Sequence, residues 1–323
     1  MVLKELQYIL AIDKFGSISK AASSLFITQP ALSRYLISLE EALGIQLFER
    51  IGNKMYLTEH GKKYIDTAKS MMKAYSDFEN SINLSSQTNV GRLRIGASVL
   101  RASFMLPPIL IKFQQEYPNV ELSISEEPSS RLENNLLDNE LDIIIINHPV
   151  IHPGISYKKL VSERIFLAVP KNIDTNHIEL SHDGSSKYPT VKISQFQEHT
   201  FVLTNSYQRS KPFFQNIFYT ANFTPKRTII TANLSTSAHI SAAGLGITFI
   251  PETFVNQFND HFTYFTIEES INGWDVFTAY SKGKHIYPYF LRFIELCEHY
   301  YMYLGMLSSN ITQNDFNPPI THL

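Results

Sequence analysis

A single cysteine, Cys297, stands in 323 residues, so the chain holds no internal disulfide, no paired-thiol redox couple and no Cys pair for a zinc site. Histidine does not fill the gap. His148 and His152, like His177 and His182, lack carboxylate or Cys partners at metal-ligand spacing, and no metal is expected. Gly-rich phosphate loops are absent and Ser98 lies in no nucleophile elbow, so neither a catalytic constellation nor a cofactor is expected. No apolar run reaches the roughly 18 residues of a membrane span. The N-terminus, Met1-Val2-Leu3-Lys4-Glu5-Leu6, lacks the basic-then-apolar layout of a secretory signal, and the expected location is the cytoplasm. An excess of positive charge is missing too: 28 Lys plus Arg face 30 Asp plus Glu, and residues 1–60 carry six of each sign. Any contact with nucleic acid must come from the placement of a few cations, not from net charge.

What is present is ordinary globular composition, 44% apolar and 18% charged, in a chain longer than one hydrophobic core usually organises. Two or three domains follow. Leu6, Ile9, Leu10, Ile12 and Phe15 give a helical apolar face over about residues 3–14 that stops at Gly16. Ser17 stands as the N-cap of a short second helix, whose Ala21-Ala22 pair lets another helix approach closely. Thr28 caps a third helix with Pro30 in its first turn, running to about Leu43 and stopping at Gly44. Leu32, Leu36, Leu39 and Leu43 form its buried stripe. The opposite side carries Gln29, Pro30, Ser33, Arg34, Ile37 and Ser38. These place an amide, a hydroxyl and a guanidinium near the helix end that enters the major groove in helix-turn-helix proteins, although a solvated polar face has the same composition. Residues 46–50, Gly52-Asn53 and residues 54–58 then read as strand, tight turn and strand, a wing with Arg50 and Lys54 available for phosphates.

Ala21-Ala22 with Leu25, Thr28-Gln29-Pro30-Ala31-Leu32-Ser33, Leu39-Glu40, Leu43-Gly44, Leu47-Phe48-Glu49-Arg50 and Leu57-Thr58 with Gly61 resemble, in order and spacing, the DNA-binding signature of the LysR-type transcription regulators. The resemblance implies that Gln29, Pro30, Ser33 and Arg34 face bases and nearby backbone, and that Arg50 grips phosphate. Ser17, Thr28 and Lys54 complete the set expected at the DNA, an operator of imperfect dyad symmetry.

From residue 59 to about 84 there is no proline, and Tyr64, Ala68, Met71, Tyr75, Phe78 and Ile82 alternate spacings of four and three, the seam of a coiled coil. About 26 residues make a rod of roughly 39 Å that needs a partner. A helix packed on its own domain is the alternative. LysR-type proteins pair through this helix, and the resemblance implies a homodimer, commonly assembled into a homotetramer. Residues 85–89, Ser-Ser-Gln-Thr-Asn, have the composition of a hinge.

Residues 91–98 alternate into a strand that stops before a helix containing Leu106, Ile109, Leu110 and Phe113. A strand at 120–125, a helix at 131–138 and a buried apolar strand at 141–146 continue an α/β pattern. Strands at 201–204, 227–231 and 246–249, with helices near 211–220 and 235–243, indicate a second lobe. Pro107, Tyr117-Pro118, Glu140-Leu141-Asp142, residues 167–170, and Ala243-Gly244-Leu245-Gly246-Ile247 with Ile250-Pro251 resemble the effector-binding domain of LysR-type regulators, which is similar to a periplasmic solute-binding protein. Residues 172–192 are longer and more polar than the resemblance implies. Ligands of open α/β domains sit at strand carboxyl ends beside helix N-termini. That rule selects Ser98, Leu100, Ser129, Ser130, Asn147, Thr204 and Asn205 for a small polar or anionic effector, although each hydroxyl also reads as a plain helix cap. Positions matching Ser98 and Thr204 often touch effector in the family. Arg101 offers either a countercharge or a surface cation.

The chain thus reads as a multi-domain α+β protein. A winged helix-turn-helix occupies residues 1–60, a linker helix and hinge 61–90, and a two-lobed α/β domain 91–304, with lobe I at about 91–162 and 268–304 and lobe II at about 163–267. Residues 305–323 have the composition of a poorly ordered tail. A ligand-responsive regulator is favoured over an enzyme with a DNA-binding module, which lacks catalytic residues. It is also favoured over an architectural DNA-binding protein, which leaves about 200 residues without a task.

Overall fold

A computed structural model describes residues 2–52, 54–85, 90–147, 151–181, 186–205, 210–268, 273–283 and 286–308. The chain divides into two compact units, residues 1–88 and 89–323. In the first, α1 (Val2–Phe15) buries Leu6, Ile9 and Ile12 and ends at Gly16, whose φ of 56° is the left-handed stop that glycine accepts. The second helix, α2 (Ile18–Ser24), presents Ala21 and Ala22, both fully buried, so that α1 and α2 pack closely. Then follows α3 (Gln29–Leu43), closed by Gly44 at φ 67°. Its stripe is shorter than the leucine spacing suggests. Leu32 and Leu36 are buried, Leu39 is half-buried, and Leu43 is 44% exposed because the last turn runs past a small core. Ser17 and Thr28 precede α2 and α3 as expected, but neither side chain makes a capping hydrogen bond; their backbone carbonyls accept the first helical N–H groups instead.

The hairpin of β1 (Phe48–Ile51) and β2 (Lys54–Leu57) pairs Phe48 with Leu57 and Ile51 with Lys54. Two contacts fasten it. Glu40 accepts from the backbone N–H groups of Leu47 (2.7 Å) and Phe48 (3.0 Å), and Thr58 Oγ1 donates to Gln46 O (2.7 Å) while accepting from Gly61 N (2.9 Å). The long helix α4 (Glu59–Ser85) starts at that cap. Ile65 and Ala68 are buried in the unit's core with Tyr64 packed against it, whereas Met71, Tyr75 and Phe78 are exposed. The proposed seam therefore divides: its first turns bind the helix to its own unit and the later ones leave an apolar face. Ile82 lies within α4 but its side chain is outside what is described, as are residues 86–89.

Between α2 and α3, Phe26 adopts φ 55° and is 97% exposed. A Cβ-bearing residue in that region costs roughly 1–2 kcal/mol, and no burial of the ring offsets it. Phe26→Gly is expected to stabilise the first unit by about 1 kcal/mol in urea melts. An unchanged or lower midpoint would show that the ring has a stabilising partner.

The second unit opens with β3 (Gly91–Ala97), α5 (Val99–Phe104), α6 (Leu106–Glu116), β4 (Val120–Glu126), α7 (Ser129–Leu137), β5 (Ile143–Asn147) and β6 (Ile155–Glu163). It continues through β7 (Ile165–Pro170), β8 (Thr190–Val191), β9 (Thr200–Thr204), α8 (Ser210–Thr220), β10 (Arg227–Thr231), α9 (Leu234–Ala242), β11 (Thr248–Pro251) and β12 (Phe262–Ile267). The chain returns in β13 (Trp274–Ser281) and ends with α10 (Pro288–Ser308), so Gly305 to Ser308 belong to a helix and not to the tail; residues 309–323 are not described. One sheet has the order β4-β3-β5-β13-β6, with β3 parallel to β4 and β5 and with β13 antiparallel to β5 and β6. The other has the order β11-β7-β12-β8, and a bridge between Phe201 and Ile247 connects it to the β9-β10 pair. Two crossovers join the lobes, after Glu163 and before Trp274. Gly273 makes their close approach possible, since a Cβ there would lie 1.6 Å from the carbonyl oxygen of Glu163.

Candidate functional site

The first unit displays its polar face at the start of α3. Gln29, Pro30 and Arg34 are exposed and Ser33 is half-buried, opposite the buried Leu32 and Leu36. Arg34 Nε reaches only its own helix, donating to Pro30 O at 3.3 Å, and Arg50 Nε donates to Gly52 O at 3.2 Å in the wing. Among the described residues neither guanidinium, nor the exposed Lys54, has a carboxylate partner. Within residues 1–60, where the two signs balance, those cations are left available for phosphate. Ser17 is half-buried and Thr28 exposed at the starts of α2 and α3.

In the second unit a cavity of about 220 Å³ lies between the sheets. Lobe I contributes Ser98 from the β3–α5 turn with Leu100 and Arg101 from the first turn of α5, Glu126 to Ser129 from the end of β4 to the start of α7, and Asn147 with Ile145 and Ile146 from β5. Lobe II contributes Asn233 and its neighbours at the start of α9, with Pro251 and Phe254. The strand-end rule thus brings Ser98, Leu100, Ser129 and Asn147 together. Ser130, Thr204 and Asn205 are outside the described lining. Thr204 is buried at the end of β9 beside Thr231, and the β10–α9 turn reaches the cavity instead.

Arg101 is neither a surface cation nor a free countercharge. It is 2% exposed, and Nη2 donates to Glu163 Oε2 at 2.8 Å and to Asn147 Oδ1 at 2.8 Å. Nε adds a bond to Asn147 Oδ1 at 3.1 Å, and Nη1 donates to Tyr301 Oη. Glu163 also accepts from Trp274 Nε1 and Thr253 Oγ1. Burial alone would disfavour the guanidinium charge, but the Glu163 carboxylate outweighs it and holds the Arg101 pKa above its ordinary value. Burial pushes the Tyr301 phenol up, so it remains protonated and donates to Met105 Sδ. A neutralised ion pair therefore floors the cavity, and Thr253 of lobe II is bonded to it.

The single thiol is buried in α10, and burial raises its pKa, which removes thiolate chemistry from the site. No group of His, Cys, Asp or Glu among the described residues could hold a metal ion, and no helix there is long and apolar enough to cross a membrane. Of the four histidines weighed above, His148 and His182 are outside the described residues; His152 Nδ1 accepts from Gly154 N at 3.0 Å.

Residues 3–62 match the bacterial regulatory helix-turn-helix protein, lysR family, and residues 86–301 match the LysR substrate binding domain. The chain belongs to the LysR family of bacterial transcriptional regulators. This LysR-family protein is a DNA-binding transcriptional regulator with an effector-binding domain. It is similar to the HTH-type transcriptional regulator YcgK of Bacillus subtilis, 26% identical over 304 residues that cover 92% of this chain and 94% of the relative. In fold it is similar to a full-length OxyR variant from Pseudomonas aeruginosa, with a TM-score of 0.63, 21% identity and coverage of 98% and 99% of the two chains. The structure of full-length CbnR complexed with its target DNA gives a TM-score of 0.51 at 20% identity, covering 93% of this chain and 99% of that one.

Sequence reasoning passed over the residues that support these surfaces. Glu40 and Thr58 fasten the wing, Glu163 and Tyr301 hold Arg101 of the cavity lining from behind, and Thr253 and Trp274 donate to Glu163. Glu40 stood within the quoted signature and so had a signal. Glu163 and Tyr301 had none, because their partners lie 62 and 200 residues away.

Proposed function

We propose that this LysR-family regulator reads an operator through Gln29, Pro30, Ser33 and Arg34, holds its phosphates with Arg50 and Lys54, and alters its occupancy when a small polar or anionic molecule enters the interlobe cavity. The observation that supports the DNA reading best is the set of uncommitted cations on α3 and the wing, within residues 1–60, where charges of the two signs balance. Ser17 and Thr28 flank this face at helix starts, where exposed backbone N–H groups favour phosphate. Pairing of two copies through the exposed Met71, Tyr75 and Phe78 face would place two α3 helices on a dyad-symmetric site, as a dimer or, with a second contact, a tetramer. The effector side rests on Ser98, Leu100, Ser129 and Asn147 in the cavity wall, with Ser130 next to Ser129 in the chain and Thr204 and Asn205 at the end of β9, where Thr204 pairs with Thr231 just before the lining residues Ala232 and Asn233. Catalysis forms no part of this reading, and the protein works in the cytoplasm with the DNA it regulates.

The test uses the intergenic DNA beside the regulator's own gene against random DNA of equal length. Arg34→Ala or Gln29→Ala is expected to weaken binding to the former by about 1–3 kcal/mol with little change in folding. Discrimination that survives both substitutions would remove α3 as the reader. For the cavity, an effector with 1–3 kcal/mol of coupling changes operator occupancy about 5- to 150-fold. Ser98→Ala should diminish that response; an undiminished response would place the effector elsewhere.

A further inference from the structure

The buried pair beneath the cavity decides which groups the wall can offer a ligand. A guanidinium carries N–H donors and no acceptor, so the Asn147 atom it touches twice, at 2.8 and 3.1 Å, must be the amide oxygen. Both acceptor sites of that oxygen are then taken. Asn147 Nδ2 makes no hydrogen bond among the described residues, and Asn147 is half-buried in the cavity lining. Its two N–H donors are what the residue has left for a guest. Charge points the same way on a second axis. Arg101, the cation of the described lining, is paired with Glu163 at 2.8 Å, so the floor is neutral. Glu126 and Glu127 add two carboxylates to the wall; Glu127 is partly offset by Arg131 at 3.5 Å, and Glu126 pairs with no cation among the described residues. Glu126 ends β4 and Asn147 ends β5, on the two sides of β3, so the acidic and amide-donor groups lie roughly two strand spacings, about 10 Å, apart across one wall.

We propose that the cavity selects a small zwitterion of the amino-acid type, with an oxygen acceptor directed at Asn147 Nδ2 and an ammonium directed at Glu126 and Glu127, and that it discriminates against purely anionic molecules. The proposal rests on the reading of this cavity as the effector site and narrows it. Asn147 is the specificity residue. Arg101 and Glu163 are positioning residues that act through it by locking the amide. A carboxylate without an ammonium meets the donors but also the field of two wall carboxylates. An amine without an oxygen acceptor leaves the Asn147 donors unmatched, and a missing partner for a desolvated polar group is a strong source of discrimination.

The experiment titrates the full-length protein by calorimetry with three matched probe sets: the proteinogenic L-amino acids, the carboxylic acids lacking their α-amino group, and the amines lacking their carboxylate. At least one amino acid is expected to bind, more than tenfold tighter than its matched acid or amine. Asn147→Asp keeps the acceptor for Arg101 while removing the donors, so it should fold and lose at least tenfold in that affinity. Glu126→Gln should weaken the amino acid and strengthen the matched acid, narrowing the gap between them at least fivefold. Tighter binding of an acid or amine than of its parent amino acid, wild-type affinity in Asn147→Asp, or no binding from any set overturns the proposal. Operator affinity measured on the same samples separates the two readings. An amino acid that binds as described and leaves DNA binding unchanged defeats the effector role but not the pocket chemistry.

Discussion

Arg101→Met is expected to destabilise the second unit by about 3–5 kcal/mol, lowering its melting temperature by roughly 6–20 °C for a unit of this size. The substitution leaves the Glu163 carboxylate fully buried with Trp274 Nε1 and Thr253 Oγ1 as donors and no cation. Attraction between the two charges does not set this magnitude, because desolvation cancels much of it. What is lost is compensation for a charge that has nowhere to go. The double variant Arg101→Met with Glu163→Leu removes both charges and should recover a large part of the loss, even though Asn147, Tyr301 and Trp274 lose a partner. Scanning calorimetry on the full chain resolves the outcome. A single variant that melts within about 1 kcal/mol of wild type would mean that water reaches Glu163 and that the pair does not close the floor of the cavity.

Phe78→Glu, or Met71→Glu, is expected to convert the assembly to a lower-order species at micromolar concentration and to reduce operator affinity by an order of magnitude or more. Both side chains are more than half exposed in the single chain, and on a paired helix they would bring like charges together in an apolar seam. Ala68 makes the internal control, because it is 1% exposed within its own unit. Ala68→Glu should therefore unfold the winged unit, whereas the two seam variants should leave its folding intact. Light scattering together with DNA binding distinguishes the cases. Wild-type mass at low concentration in both seam variants would make the outer part of α4 a strut and move the dimer contact to another surface.

How far the sequence reaches is plain from these two cases. Local periodicity and turn residues determined the winged unit almost completely, since α1 to α4 and the hairpin are each specified by spacing, glycine stops and a two-residue turn within a few positions of where they form. They also determined the alternation of strands and helices in the second unit, and with it the strand ends that carry Ser98, Ser129 and Asn147 to one cavity. The leucine stripe of α3 overreached, because periodicity reports which face is apolar but not how far the core beneath it extends. Arg101 was left open between countercharge and surface cation because burial of a charge is decided by partners. Those partners, Asn147, Glu163 and Tyr301, are 46, 62 and 200 residues distant. The insertion of β13 between β5 and β6 is of the same kind, a pairing with no local signature that brings Trp274 back to Glu163. The sequence by itself thus settled the family, the elements of the winged unit and the lobe I strand ends that face the cavity, since short-range geometry dictates them, but not the β10–α9 turn that lines it from lobe II. Only the tertiary structure decided that the cavity floor is neutral, that Asn147 presents its N–H donors, and that α4 is half strut and half open face. Desolvation and hydrogen-bond pairing depend on residues that meet only after the chain has folded.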